Sequence, residues 1–219
     1  MRASGHDPVQ ANRRYVFNAK VSSAFLAPIA LTEIAIRNSM NVAICSHLGV
    51  PLSEGWHRDV LSDRPRVHLL EQDRGKLQRV LQKLDRNGLT DPTGDDVVGG
   101  TSLGLWVSLA SEGRSRDREY DYFRLIWQPY LYRAFPNSPD VRNKPKPLRA
   151  SLREFERLRN RIAHHEYILN MNLPHQMTNI LDLAGAVDAD LAEYIRSTHS
   201  VDKTLRLYRA FIADGVCTL

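Results

Sequence analysis

A length of 219 residues makes one domain the default, and 42% hydrophobic residues are enough for a real core. No run reaches about 18 apolar residues, the opening MRASGHDPVQANRRY lacks the apolar segment of a secretory signal, and Cys45 and Cys217 are the only cysteines. Membrane insertion, secretion and a disulfide framework are therefore not expected, and a reducing cytoplasm fits. The net charge of +5 rests on 24 arginines against 6 lysines. Guanidinium forks suit phosphate oxygens and bases, but a GC-rich genome also enriches arginine, so the charge tilts only slightly towards RNA.

Met1–Pro8 is expected to fray. Val9–Ser23 can form a short first helix with Arg13, Arg14 and Lys20 on polar positions, and Pro28 marks a kink or a restart. The following IALTEIAIRNSMNVAICSHL is a strong helix, with Leu31, Ile34, Ala35, Asn38, Val42 and Cys45 on one broad side. Glu33 and Arg37 stand at i, i+4 in the favourable order, which by itself describes an exposed ion pair. Gly49-Val50-Pro51 stops the helix, and Trp56 follows in a polar loop as a packing anchor. Asp63–Asn87 forms an Arg/Lys/Gln-rich helix interrupted by Gly75 and capped by Asn87-Gly88.

Thr90–Asp96 is turn-rich. Val97-Val98-Gly99-Gly100-Thr101 lacks the G-K-[ST] of a nucleotide loop and leads into the apolar run Leu103–Ala110, where periodicity does not separate helix from strand. The basic segment Glu112–Arg118 is an exposed connection, with an RNA-backbone contact as the alternative. Tyr120–Phe135 is aromatic-rich; such a stripe is more often core than a base-stacking platform. Asn137–Pro147 is a proline-rich extended loop. Beyond it, Pro174–Tyr194 forms a helix broken at Gly185, and Val201–Ala213 a last one with Leu205, Tyr208 and Ile212 at helical spacing.

Between these lies SLREFERLRNRIAHHEYIL, Ser151–Leu169, which reads as one helix capped by Ser151 with Glu154 closing a capping box. Phe155, Leu158, Ile162 and Leu169 share a stripe that should face a core. Asn160 and His164 lie one turn apart on another face, with Arg159 between that face and the stripe. The helix thus offers a guanidinium, an amide and an imidazole around the small Ala163. Spacing alone is equally that of a solvated helix face. Adjacent His164 and His165 point about 100° apart on a helix and lack the i, i+4 geometry of a shared ion, so no metal site is expected.

Arg159-Asn160, three residues, then His164 resembles the R-polar-x-x-x-H signature of the HEPN superfamily. The fuller RNRIAHHE is similar to the version in its Abi-like (abortive infection) proteins. Glu33-Ile34-Ala35-Ile36-Arg37-Asn38 resembles the E-x-x-x-R-N segment of that family's early helix, and Ser102-Leu103-Gly104-Leu105-Trp106 its middle S-F-G-F-W segment. The three motifs come in the family's order and cover most of the chain.

The resemblance implies an all-α, HEPN-like helical bundle with additional helices, filling residues 1–219 as a single domain. It also implies a metal-independent ribonuclease needing no cofactor, with RNA as substrate and a role in phage defence or stress. Arg159, Asn160 and His164 would carry catalysis. Glu33, Arg37, Asn38, Arg161, His165 and Glu166 would support the site or the dimer seam, with His165 turned towards the apolar stripe in a structural role. No second histidine has an arginine five residues before it, so one chain supplies half of a site that, by the resemblance, needs two motifs face to face; a two-fold homodimer follows. The alternatives are a non-catalytic module that binds RNA or protein, and a toxin silenced by a partner antitoxin. In one such group the partner modifies the tyrosine of R-x-x-x-x-H-x-Y; here Glu166 holds that position and Tyr167 follows it, which speaks against that mode of silencing.

Overall fold

The computed structural model describes residues 8–208 and 210–211. The protein is all-α, as expected. Among the described residues there are nine α-helices: α1 (Pro8–Leu48), α2 (His57–Val60), α3 (Glu71–Arg86), α4 (Gly94–Gly100), α5 (Leu103–Leu109), α6 (Lys146–Ala163), α7 (Leu173–Val187), α8 (Ala189–Thr198) and α9 (Val201–Arg206). A π turn at Phe123–Trp127 and a 3-10 turn at Leu131–Ala134 precede α6. Among the described residues the extended backbone pairs only at an isolated bridge, Gly113 with Asp121.

The chain groups into two compact units, and α1 and α6 each contribute residues to both. The first unit takes described residues from 8–32, 154–185 and 189–211. Phe17, Val21, Phe25 and Ile29 recur every four residues along α1 and are buried. Phe17 stacks on Phe211, with ring centroids 5.3 Å apart. Phe155, Leu158 and Ile162 of α6 and Met177, Ile180 and Leu183 of α7 are buried in turn.

The second unit takes residues 33–153 and 186–188. Its centre is aromatic: Trp106, Tyr122, Trp127, Tyr130 and Phe135 are almost wholly inaccessible, so the aromatic stretch is core at four of its seven rings, while Tyr120, Phe123 and Tyr132 are half-buried. Both indoles and the Tyr122 phenol find partners, as buried polar tips require. Trp106 donates to Thr101 Oγ1 at 2.8 Å and Trp127 to the Val141 carbonyl at 3.0 Å. The Tyr122 hydroxyl accepts from the Leu70 amide at 2.7 Å and donates to Asp73 at 3.0 Å. Asp73 is fully buried and also receives Lys76 and Ser108. Trp56 is the expected anchor, edge-on to Trp106 at 5.8 Å.

Several boundaries differ from expectation. Pro28 does not restart the first helix; α1 runs unbroken through it for 41 residues. A proline inside a helix costs about 3 kcal/mol; Pro28 is buried here, as are Phe25 and Ile29 on the same helix. The helix expected over Asp63–Asn87 begins at Glu71, where the Tyr122 hydroxyl takes the Leu70 amide. Its Asn87-Gly88 stop is as expected: Gly88 has φ +89°, with amides of Gly88 and Leu89 reaching back to Asp85 and Leu84. The expected loop Thr90–Asp96 instead ends in a capping box, Thr93 with Asp96, that opens α4. The ambiguous apolar run is helix α5.

The motif helix starts five residues before the expected cap. Pro145 and Pro147 suit a helix entrance, and the Pro145 carbonyl accepts the Arg149 amide at 2.9 Å. Ser151 therefore lies inside α6, and Glu154 binds Gln176 and His175 instead of closing a capping box. The break after α7 falls at Asp188, not at Gly185. The ends 1–7 and 212–219, with Cys217 and Ile212, lie outside the described residues.

By length and composition α1 could cross a membrane, a test that the core helix of a soluble protein also passes. Thr32, Glu33 and Asn41 are buried along it.

Candidate functional site

The three motif residues are brought together by the last turn of α6 and its exit. Arg159 and Asn160 are half-buried, and Ala163 and His164 are exposed. The helix ends at Ala163 instead of continuing to Leu169. His165 takes a left-handed backbone, φ +56°, its amide bonding the Ile162 carbonyl at 3.1 Å while the Glu166 amide bonds Arg161 at 2.8 Å. These two bonds are the Schellman helix stop, with a histidine where glycine is usual. The amide of His164 still bonds the Asn160 carbonyl at 2.9 Å, so the imidazole leaves the backbone at the helix's last hydrogen-bonded position.

The turn is held by a residue that sequence analysis did not single out. Asn18 is buried in α1; its amide donates to the Glu166 carbonyl at 3.2 Å and accepts from the Ile168 amide at 2.8 Å. It spans the segment that follows the histidines. Its only local signal is a polar residue beside Phe17 on an apolar stripe. Arg161 pairs with Glu166 at 3.1 Å across the same turn.

Arg159 Nη1 lies 3.4 Å from Asn160 Oδ1, so the amide oxygen is turned to the guanidinium. His165 does not face the apolar stripe; it is exposed, because the left-handed backbone swings it off the helix. What the turn offers chemically is a cation and an amide beside an open imidazole. Among the described residues no three His, Cys, Asp or Glu side chains form an ion-holding group.

Glu33, Arg37 and Asn38 belong to the second unit, Arg159, Asn160, Arg161, His164, His165 and Glu166 to the first. Glu33 and Arg37 pair at 3.2 Å, but not as an exposed pair: their side chains are only 7% and 17% accessible. Arg37 Nη1 donates to the Thr101 carbonyl at 2.9 Å, closing the carboxyl end of α4. Asn38 is exposed and, with Ile34, Val42 and Leu52, edges a hollow of about 500 Å³. Trp106 of the Ser102–Trp106 segment is core. The basic Glu112–Arg118 loop is exposed in its charges yet tied at its ends, with the Arg114 amide on the Tyr120 carbonyl at 2.8 Å.

No family model, no curated protein and no solved structure matches this chain.

Proposed function

We propose that the protein is a metal-independent endoribonuclease of the HEPN type, acting as a homodimer whose paired motifs form one composite site. The observation that carries the proposal is the open end of α6: Arg159, Asn160 and His164 within one turn, the imidazole in solvent on a pinned backbone. The motif occurs once per chain, so a second copy supplies the facing half.

In the proposed reaction the ribose 2′-oxygen attacks the adjacent phosphorus. The new 2′-O–P bond forms as the P–O5′ bond breaks, leaving a 2′,3′-cyclic phosphate and a 5′-hydroxyl. One imidazole takes the 2′-hydroxyl proton and the partner motif's imidazole supplies the 5′-oxygen with one, the division of labour that two histidines near neutral pH allow. Arg159 neutralises the charge that builds on the phosphate oxygens, and Asn160 holds the guanidinium in place.

The test is cleavage of labelled RNA in EDTA. His164→Ala is expected to lose about 10²–10⁴ in rate with an unchanged melting midpoint, because the ring is exposed. An undiminished rate in purified His164→Ala protein ends the proposal; RNA binding without cleavage by the wild type replaces it with a non-catalytic binding module.

The setting of phage defence or stress, with an antitoxin or other regulatory partner, rests on the resemblance alone. A cytoplasmic location is part of the same proposal. Buried Thr32, Glu33 and Asn41 on α1 suit a helix packed against protein better than one facing lipid. Fractionated cells should hold the protein in the soluble fraction, and recovery with membranes would overturn that location.

A further inference from the structure

Arg149 is the most anomalous charge in the second unit. Only 4% of it is accessible, and burial pushes its guanidinium below the usual arginine range. The π turn sets Phe123 and Trp127 four residues apart so that both rings flank it, at 5.3 and 5.4 Å. Nε donates to the Ala110 carbonyl at 2.6 Å and Nη1 reaches the half-exposed Glu112 at 3.4 Å, while Nη2 is buried with no partner. Packing alone would be served as well by an apolar side chain. A buried N–H left without an acceptor calls for an explanation of its own.

Two adjoining hollows of about 450 and 390 Å³ share Arg149, Lys146 and Glu112 as walls. Arg153 completes the smaller; Lys144, Asp121, Phe123 and Pro145 line the larger. Lys144 leans on Asp140 and Asp121 on Arg124, each at 3.7 Å. In the smaller hollow Arg149, Lys146 and Arg153 face Glu112, a surplus that matches a phosphomonoester, about −1.5 to −2 at neutral pH, while Asp121 adds a carboxylate to the larger one. The amino end of α6 opens here and adds its positive pole. Phe123 is half-buried and lines the larger hollow together with Pro145, an aromatic wall of the kind on which a nucleobase stacks. Ser115 and Asn143 at the rim bring neutral polar groups for a sugar or base edge. The larger hollow is of ordinary small-ligand size.

We propose that this hollow binds a nucleoside monophosphate group, its phosphate held by Arg149, Lys146 and Arg153 and its base laid on Phe123. The group is either a free nucleotide or the 5′-phosphorylated end of an RNA. The site does not depend on the nuclease proposal, and the binding should persist in His164→Ala protein.

The experiment is calorimetric titration of the full chain at low salt with AMP, with adenosine and inorganic phosphate as comparisons. AMP should bind more tightly than either. Lys146→Ala with Arg153→Ala, both exposed positions, should weaken AMP about tenfold or more without lowering the melting midpoint. Phe123→Leu should erase the advantage of AMP over phosphate. Arg149→Met tests the anchor itself; because it could disturb packing, the surface pair is the deciding variant. AMP no better bound than adenosine, or bound equally by the double variant, overturns the proposal. A short RNA bearing a 5′-phosphate that displaces AMP, where its 5′-hydroxyl form does not, identifies an RNA end as the source. Failure of both to displace AMP identifies the free nucleotide. Equal displacement by both forms means a backbone-tracking surface and overturns the proposal.

Discussion

Asn18 sits 148 residues from Glu166 and 150 from Ile168, yet its one amide meets the backbone of both. A buried side chain with donor and acceptor both used is a rigid clamp, because releasing either end strands a polar group away from water. Asn18→Ala leaves the Ile168 amide, itself buried, without its acceptor. The expected cost is about 1–3 kcal/mol, read as a lower urea midpoint. Because the clamp holds the segment just after His164, RNA cleavage should fall as well, in protein that is still folded. Cleavage at the wild-type rate in the folded variant would show that the turn keeps its shape without Asn18. The left-handed His165 depends on the same support: with no glycine available, the Schellman bonds and Asn18 together hold a backbone that a β-branched residue would resist.

Among the elements, α3 shows how distant chemistry sets a local boundary. Its periodic pattern reaches back to Val67, but the helix starts at Glu71, where the Tyr122 hydroxyl caps the Leu70 amide and joins Asp73. Burial and the neighbouring Asp73 carboxylate hold the Tyr122 phenol well above its ordinary range, so it stays a donor. Tyr122→Phe removes one bond to a backbone amide and one to a buried carboxylate. The loss should be about 1–3 kcal/mol, measured by chemical denaturation, with α3 amides exchanging faster. Wild-type stability in Tyr122→Phe would mean that Lys76 and Ser108 satisfy Asp73 by themselves. In α6 the boundary is set locally instead. Its entrance is fixed by Pro145 and Pro147, which are legible in sequence as breakers but act as helix starters because an initial turn has no use for their missing amides.

For the molecule as a whole, two histidines make stability sensitive to mild acid. Burial lowers the His57 imidazole below its usual range, with Arg58 pushing the same way and Asp91 opposing. His47, 4.1 Å from the Tyr130 ring, is lowered by burial, then by Arg133 and Arg66. Both rings take up protons in the unfolded chain near pH 6.5 but later, at lower pH, in the folded one. Around and below the unfolded pKa the unfolded state binds more protons, so stability is fully present about one unit above pH 6.5 and declines as the pH falls through it. Urea midpoints should drop between about pH 7.5 and 5.5, and His57→Gln should flatten the drop. A midpoint that rises on acidification would contradict the lowered proton affinity of these two rings in the folded chain. Both histidines belong to the second unit, so its amides should lose exchange protection first.

Much of this was legible in the residues themselves. Helical periodicity marks Phe155, Leu158 and Ile162 as core, aromatic composition marks most of Tyr120–Phe135 as interior, and Asn87-Gly88 carries the residues of a helix stop. The Arg159, Asn160 and His164 cluster needs only one helical turn to assemble. These signals act over a few residues, where backbone geometry is the same in any fold. The tertiary structure alone decided that α6 stops at Ala163, that Arg37 closes α4 from 64 residues away, and that Arg149 is buried between two rings. Such contacts are chosen by which distant groups burial leaves in need of a partner, and no local pattern records that need.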